Sequence, residues 1–171
     1  MNFLEFAKSR YSVRDFEQRE IEQEKLMSIL EAGRVAPTAC NYQPQKVFVI
    51  KSAEKLELIR SLTPCAFNAP VVLVVCYDST RDWKNRRMPG YESGETDAAI
   101  VCTHMMLEAW QQGIGSCWVG MFSSDEIKAG LGLSEELTVA ALLPIGYPAA
   151  GVQPNPLHYS IRDFDDTVEV L

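Results

Sequence analysis

The spacing of apolar positions changes repeatedly along this chain, and each change predicts an element. Phe3, Leu4, Phe6 and Ala7 suit one short helix. Leu26, Ile29 and Leu30 share a face of a second helix, from about Glu22 to Ala32, with Gly33 placed to stop it. Val47 to Ile50 predicts a strand, and Ala53 to Leu62 a helix with Leu56 and Ile59 inward. Val71-Val72-Leu73-Val74-Val75-Cys76 is unbroken and mostly β-branched, the pattern of a strand buried on both faces at the centre of a sheet. Glu95 to Gln112 is the longest helix, with Glu95 and Asp97 in the first turn where they suit its dipole. Ala98, Val101, Cys102, Met105, Met106 and Ala109 cover most of its circumference, so it is expected to be buried and central. Gly113-Ile114-Gly115 ends it, and Ser116 to Gly120 opens a strand or extended loop. Ser123 with Glu126 has capping-box spacing for a short helix ending near Gly130; Thr138 to Ile145 is a last strand, turned by Gly146-Tyr147-Pro148.

Between these elements the chain turns polar. Val35 to Pro44 is a loop by its two prolines and Asn41. From Asp78 to Gly94, with Arg81, Trp83, Arg86, Arg87, Pro89 and Tyr91, the pattern predicts a mobile excursion. Pro148, Pro154 and Pro156 forbid an immediate helix, so residues 149–171 are expected as an extended C-terminal arm of one α+β domain spanning 1–171.

At 171 residues and 47% hydrophobic, the chain has material for a real core. A net charge of -7 argues against nucleic-acid and anionic-membrane partners, which bind basic surface; any phosphate must be held locally, against the overall field. Five cysteines without C-x-x-C spacing read as reduced core thiols of a cytosolic protein. Glu5 interrupts the N-terminal apolar residues, which excludes a signal-peptide pattern. The longest apolar stretch, Ala98 to Trp110, is broken by Thr103, His104 and Glu108 and is too short to span a bilayer. A cytoplasmic protein is expected.

Several chemistries lack their residues. His104 and His158 lie far apart with no cysteine at metal-ligand spacing, and His104 is expected as a hydrogen-bonded core histidine. No G-x-S-x-G elbow or legible cysteine-histidine pairing is present. Gly113, Gly115 and Gly120 fail as a dinucleotide fingerprint because they follow a helix rather than open one. Arg10-Tyr11-Ser12-Val13-Arg14 is different. In an extended segment Arg10, Ser12 and Arg14 share one face, and two guanidinium forks with a hydroxyl are strong donors to a phosphate. Taken alone, the pentapeptide fits a solvated surface strand as well.

Four motifs occur in order: Arg10 to Arg14; Ala36-Pro37-Thr38-Ala39-Cys40-Asn41-Tyr42-Gln43-Pro44; Asp97-Ala98-Ala99 opening the long helix; and Gly113-Ile114-Gly115-Ser116-Cys117-Trp118-Val119-Gly120. With Leu143 to Pro148 they resemble the nitroreductase family of flavoproteins over nearly the whole chain. The resemblance implies an α+β fold with a central, mostly antiparallel sheet flanked by helices, assembled as an intertwined homodimer with FMN at the subunit interface. Arg10 and Ser12 match positions that hold the FMN phosphate, with Tyr11 between them, and Arg14 a basic position near the flavin's pyrimidine edge. Pro37, Thr38, Ala39 and Asn41, and less closely Gln43, match a loop that reaches the other subunit's flavin. Trp118, Val119, Gly120 and Met121 match a backbone stretch beside the ring, where main-chain N–H groups near N5 and O4 stabilise the reduced flavin. Asp97 matches a polar position near the cofactor, although capping its own helix explains it equally well.

Two departures stand out. The family's proline-tryptophan pair is here Pro44-Gln45. Its basic C-terminal segment is represented by Arg162 alone, inside the acidic run Asp163, Asp165 and Asp166, which points to a weaker phosphate site. The implied activity is hydride transfer from NADH or NADPH through flavin N5 to a nitroaromatic, a quinone or a similar electron-poor acceptor. The flavin carries the chemistry, so no side chain is named as catalytic. By composition Trp83, Arg86, Arg87 and Tyr91 are candidates to cover the substrate. The alternatives are a flavin carrier or sensor without turnover, or a specialised relative such as a reductive dehalogenase.

Overall fold

A computed structural model describes residues 2–171. The helices are α1 (Phe3–Ser9), α2 (Gln23–Arg34), α3 (Ala53–Leu62), α4 (Gly94–Gln111) and α5 (Ser124–Leu131). The strands are β1 (Gln45–Ile50), β2 (Val71–Asp78), β3 (Gly115–Ser116) and β4 (Leu137–Gly146). They form one antiparallel sheet in the order β1-β2-β4-β3.

Strand geometry sends successive side chains to opposite faces, and β2 shows what that does with an unbroken apolar run. Val71, Leu73 and Val75 join Leu26 and Ile29 of α2 and Val101, Cys102 and Met105 of α4. Val72, Val74 and Cys76 join Leu56 and Ile59 of α3 and Ile127 of α5. The sheet is therefore the middle layer between two helix pairs, which is why β2 can afford no polar position before Tyr77.

Three local expectations are corrected. Gly33 lies inside α2 rather than ending it. A Cβ there would stand 2.7 Å from Met105 Cγ, so the glycine lets α2 and α4 approach. α5 runs past Gly130 to Leu131 and ends on Gly132, whose φ of 66° is left-handed. Its start is capped as expected, Ser123 accepting the Glu126 N–H. Cys40 is exposed and Cys65 partly so, and only Cys76, Cys102 and Cys117 are core thiols; burial pushes Cys76 and Cys102 up to about 12.

The 78–94 excursion is a folded element. Lys84 and Glu92 form an antiparallel bridge, and Ser93 N–H donates to the Trp83 carbonyl at 2.9 Å. Asp82 and Ser93 are buried within it, and Asp82 accepts the Gly94 N–H at 3.1 Å. Along 149–171 the chain makes short 3-10 turns at Pro156–Tyr159 and Phe164–Asp166, leaving Leu157, Tyr159, Ile161 and Phe164 exposed. Among the described residues no helix is long and apolar enough to cross a membrane.

Candidate functional site

The segment after α1 is pinned on both sides. Ser12 bridges Ser116 of β3 in parallel, with Val13 N–H donating to the Ser116 carbonyl at 2.9 Å. Further on, Phe16 bridges Pro148, and Glu17 N–H donates to the Tyr147 carbonyl at 2.9 Å. Val13 is fully buried, in contact distance of Gly115, where any Cβ would stand 2.7 Å from Val13 Cγ2. Drawing Val13 inward turns Ser12 and Arg14 outward.

Outside this segment lies a cleft of about 300 Å³ whose floor is Arg10, Tyr11, Ser12 and Arg14. Alternation had set Tyr11 on the other face; it lines the cleft because its ring is held edge-on by Trp110, with centroids 5.2 Å apart. Burial lowers the Arg10 pKa from its ordinary value, opposed by charge at Cys117, yet a guanidinium remains a cation. Burial raises the Cys117 thiol, while Arg14 and a hydrogen bond with Ser12 oppose the rise. The far wall comes from the arm: Asn155, Leu157 and His158. Among the described residues no carboxylate lines the cleft, so its donor set suits an anion such as a phosphate in a chain of net charge -7.

Arg162, the tail residue expected here, is not among the lining. It is exposed and turned to its own arm, Nη2 donating to the Asp166 carbonyl at 3.2 Å. Asn155 and His158 stand where it was expected. The one signal for His158 in the sequence is a polar ring a few residues before Arg162.

The second group, Pro37, Thr38, Ala39, Asn41 and Gln43, forms a tight turn apart from the cleft, and none of its members lines it. Cys40, Asn41 and Gln43 all have left-handed backbone, with φ of 49°, 56° and 50°. Such conformations of non-glycine residues cost about 1–3 kcal/mol each and persist where surroundings hold them. The holding group is Asp97. Its buried carboxylate accepts the Ala39 N–H at 2.8 Å and the Ser93 hydroxyl at 2.7 Å, and Ser93 in turn accepts the Trp83 N–H at 3.1 Å. Asp97 thus ties the 37–43 turn to the excursion and does not cap its own helix.

The third group divides. Trp118, Gly120 and Met121 are exposed, whereas Val119 is buried in the core. Val119 N–H donates to the Leu142 carbonyl at 2.9 Å, which removes it as the ring-side donor expected of it. Beyond it, the Met121 carbonyl accepts the hydroxyl of buried Thr63 at 2.6 Å. Thr63 was missed: a threonine at the end of a helix carries no sequence signal for a partner 58 residues away.

The fold has known counterparts. The model of the nitroreductase family matches residues 7–64 and 61–147. A nitroreductase family protein from Clostridium difficile 630 superposes with a TM-score of 0.92 at 33% identity, covering 99% of this chain and 98% of that one. A nitroreductase with bound FMN from Bacteroides fragilis superposes over 100% of both chains, with a TM-score of 0.78 at 25% identity. An FMN reductase [NAD(P)H] from Bacillus subtilis is 29% identical over 155 residues, covering 81% of this chain and 62% of that protein. By motif order, sheet topology and these matches together, the chain belongs to the nitroreductase family.

Proposed function

We propose that this protein is an FMN-dependent oxidoreductase that passes a hydride from NADH or NADPH, through the flavin, to an electron-poor acceptor such as a nitroaromatic or a quinone. The observation that carries the proposal is the anion cleft: Arg10, Ser12 and Arg14 converge without a carboxylate, in a fold that superposes on an FMN-bound structure. Bound FMN supplies the redox chemistry. The chain supplies position and charge. Arg10 and Ser12 hold the phosphate, and Arg14 favours negative charge at the ring's pyrimidine edge. The turn 37–43, with Pro37, Thr38, Ala39, Asn41 and Gln43, approaches a ring held by a second subunit. The exposed residues Trp118, Gly120 and Met121 would border the ring edge.

The placement of these groups supports a homodimer as part of the proposal. The turn and the cleft occupy separate places on one protomer, and the arm leaves Leu157, Ile161 and Phe164 exposed, apolar surface that a second copy would cover. The acceptor is expected to be flat and small, stacking on the flavin beside the excursion, where Trp83 and Tyr91 lie edge-on with centroids 6.5 Å apart.

The test is anaerobic stopped-flow reduction of the FMN-loaded protein by NADH and by NADPH. Reduction much faster than that of free FMN, lost in Arg10→Gln with Ser12→Ala, supports the proposal. Reduction no faster than free flavin would favour a carrier.

A further inference from the structure

The cleft's outer wall carries a side chain that none of the foregoing uses. His158 faces Arg10, Tyr11, Ser12 and Arg14 across about 300 Å³. Its ring sits edge-on to Tyr11, centroids 6.3 Å apart, and edge-on to Tyr159 at 5.0 Å. The turn that carries it is fixed: Asn155 caps the Leu157 N–H at 2.9 Å, and His158 N–H donates to the Asn155 carbonyl at 2.8 Å. Among the described residues neither ring nitrogen of His158 bonds to a protein group, so both are available to a ligand in the cleft.

We propose that His158 is the arm's contact for the phosphate in this cleft and, being a histidine, makes retention of a phosphorylated ligand fall as pH rises through neutrality. The inference rests on the FMN reading of the site. Arginine and lysine are charged throughout the neutral range, whereas histidine changes charge between pH 5 and 8.

The groups facing it settle the direction: Arg10 and Arg14 on the floor repel an imidazolium, Tyr11 and Tyr159 meet it through their rings, and among the described residues no carboxylate lines the cleft. A phosphate dianion bound between the two arginines and the ring would favour the imidazolium over the neutral ring, so binding takes up a proton. By linkage, a group more protonated in the complex makes affinity fall with rising pH, by at most tenfold per unit for one proton. The effect is read above pH 6.5, because the phosphate loses its own second charge near pH 6.

The experiment is fluorescence titration of the apoprotein with FMN and with riboflavin at pH 6.5, 7.5 and 8.5, for the parent, His158→Gln and His158→Lys. Between the extremes the parent is expected to lose affinity for FMN by roughly fivefold or more but none for riboflavin. His158→Gln should bind FMN weakly with a flat profile, and His158→Lys tightly with a flat profile. Parent and His158→Gln with equal FMN profiles would overturn the role of His158 while leaving the flavin reading intact. FMN and riboflavin bound equally at all pH values would place the phosphate elsewhere and overturn the inference. Failure to bind either flavin would overturn both.

Discussion

Removing the Asp97 carboxylate is the perturbation that tests the site's internal wiring. Asp97 is only 2% exposed and accepts two hydrogen bonds, at 2.8 Å from Ala39 N–H and 2.7 Å from the Ser93 hydroxyl. Bonds to a charged group contribute about 1.5–3 kcal/mol each, so the gross loss in Asp97→Ala is about 3–6 kcal/mol. Relief from burying a carboxylate without a paired cation offsets part of this, leaving a net destabilisation of about 2–4 kcal/mol. Asp97→Asn keeps the acceptor for Ala39 and is expected to cost about 1 kcal/mol. The assay is urea unfolding of the apoprotein at one fixed concentration, with midpoints and slopes compared across the variants. FMN affinity is measured alongside: Asp97→Ala is expected to free the 37–43 turn and to weaken binding. A destabilisation of Asp97→Ala below about 0.5 kcal/mol, the range of neutral surface changes, would refute the buried-clamp argument.

Three further outcomes follow from particular contacts. Gly94→Ala would drive a Cβ into the body of the Tyr77 ring, so the midpoint of unfolding should drop by more than for Gly130→Ala, where the neighbour at 3.2 Å is the end of Leu58. Thr63→Val removes the donor to the Met121 carbonyl and should cost about 1–3 kcal/mol in urea unfolding, whereas Thr63→Ser should restore most of it. Glu22 accepts from Tyr147 and then Arg19, and these bonds hold its carboxyl down at about 2; because the folded pKa lies below the unfolded one, this stability is present above about pH 4.5 and is lost as pH falls toward 2. Tyr147→Phe should therefore flatten that part of the acid limb in a pH series of thermal melts.

Much of the fold was legible because its signals are local and periodic. The unbroken run of β2 implied burial on both faces, and α2 and α4 shared it with α3 and α5 as such a run requires. Gly33 misled because a glycine near the end of a helical pattern serves equally as a stop or as a place for another helix to approach, and only Met105 distinguishes the two. At the site, Arg10, Ser12 and Arg14 line one cleft, as alternation along a single extended segment implies, although Tyr11 lines it as well. What stayed hidden depends on distant partners. Thr63 acts on Met121, Asp97 on Ala39, and Leu142 consumes the Val119 N–H, and no sequence spacing encodes those pairings. Arg162 is marked by its position, as the match to the family's basic C-terminal segment, yet the path of the arm presents Asn155 and His158 to the cleft.

The most direct test of the central claim is the visible spectrum of the purified protein after incubation with FMN and desalting, with the released cofactor identified by mass. A flavin spectrum, FMN retained in proportion to subunit, and bleaching on addition of NADH or NADPH under anaerobic conditions are expected. A colourless protein that released no flavin would contradict it.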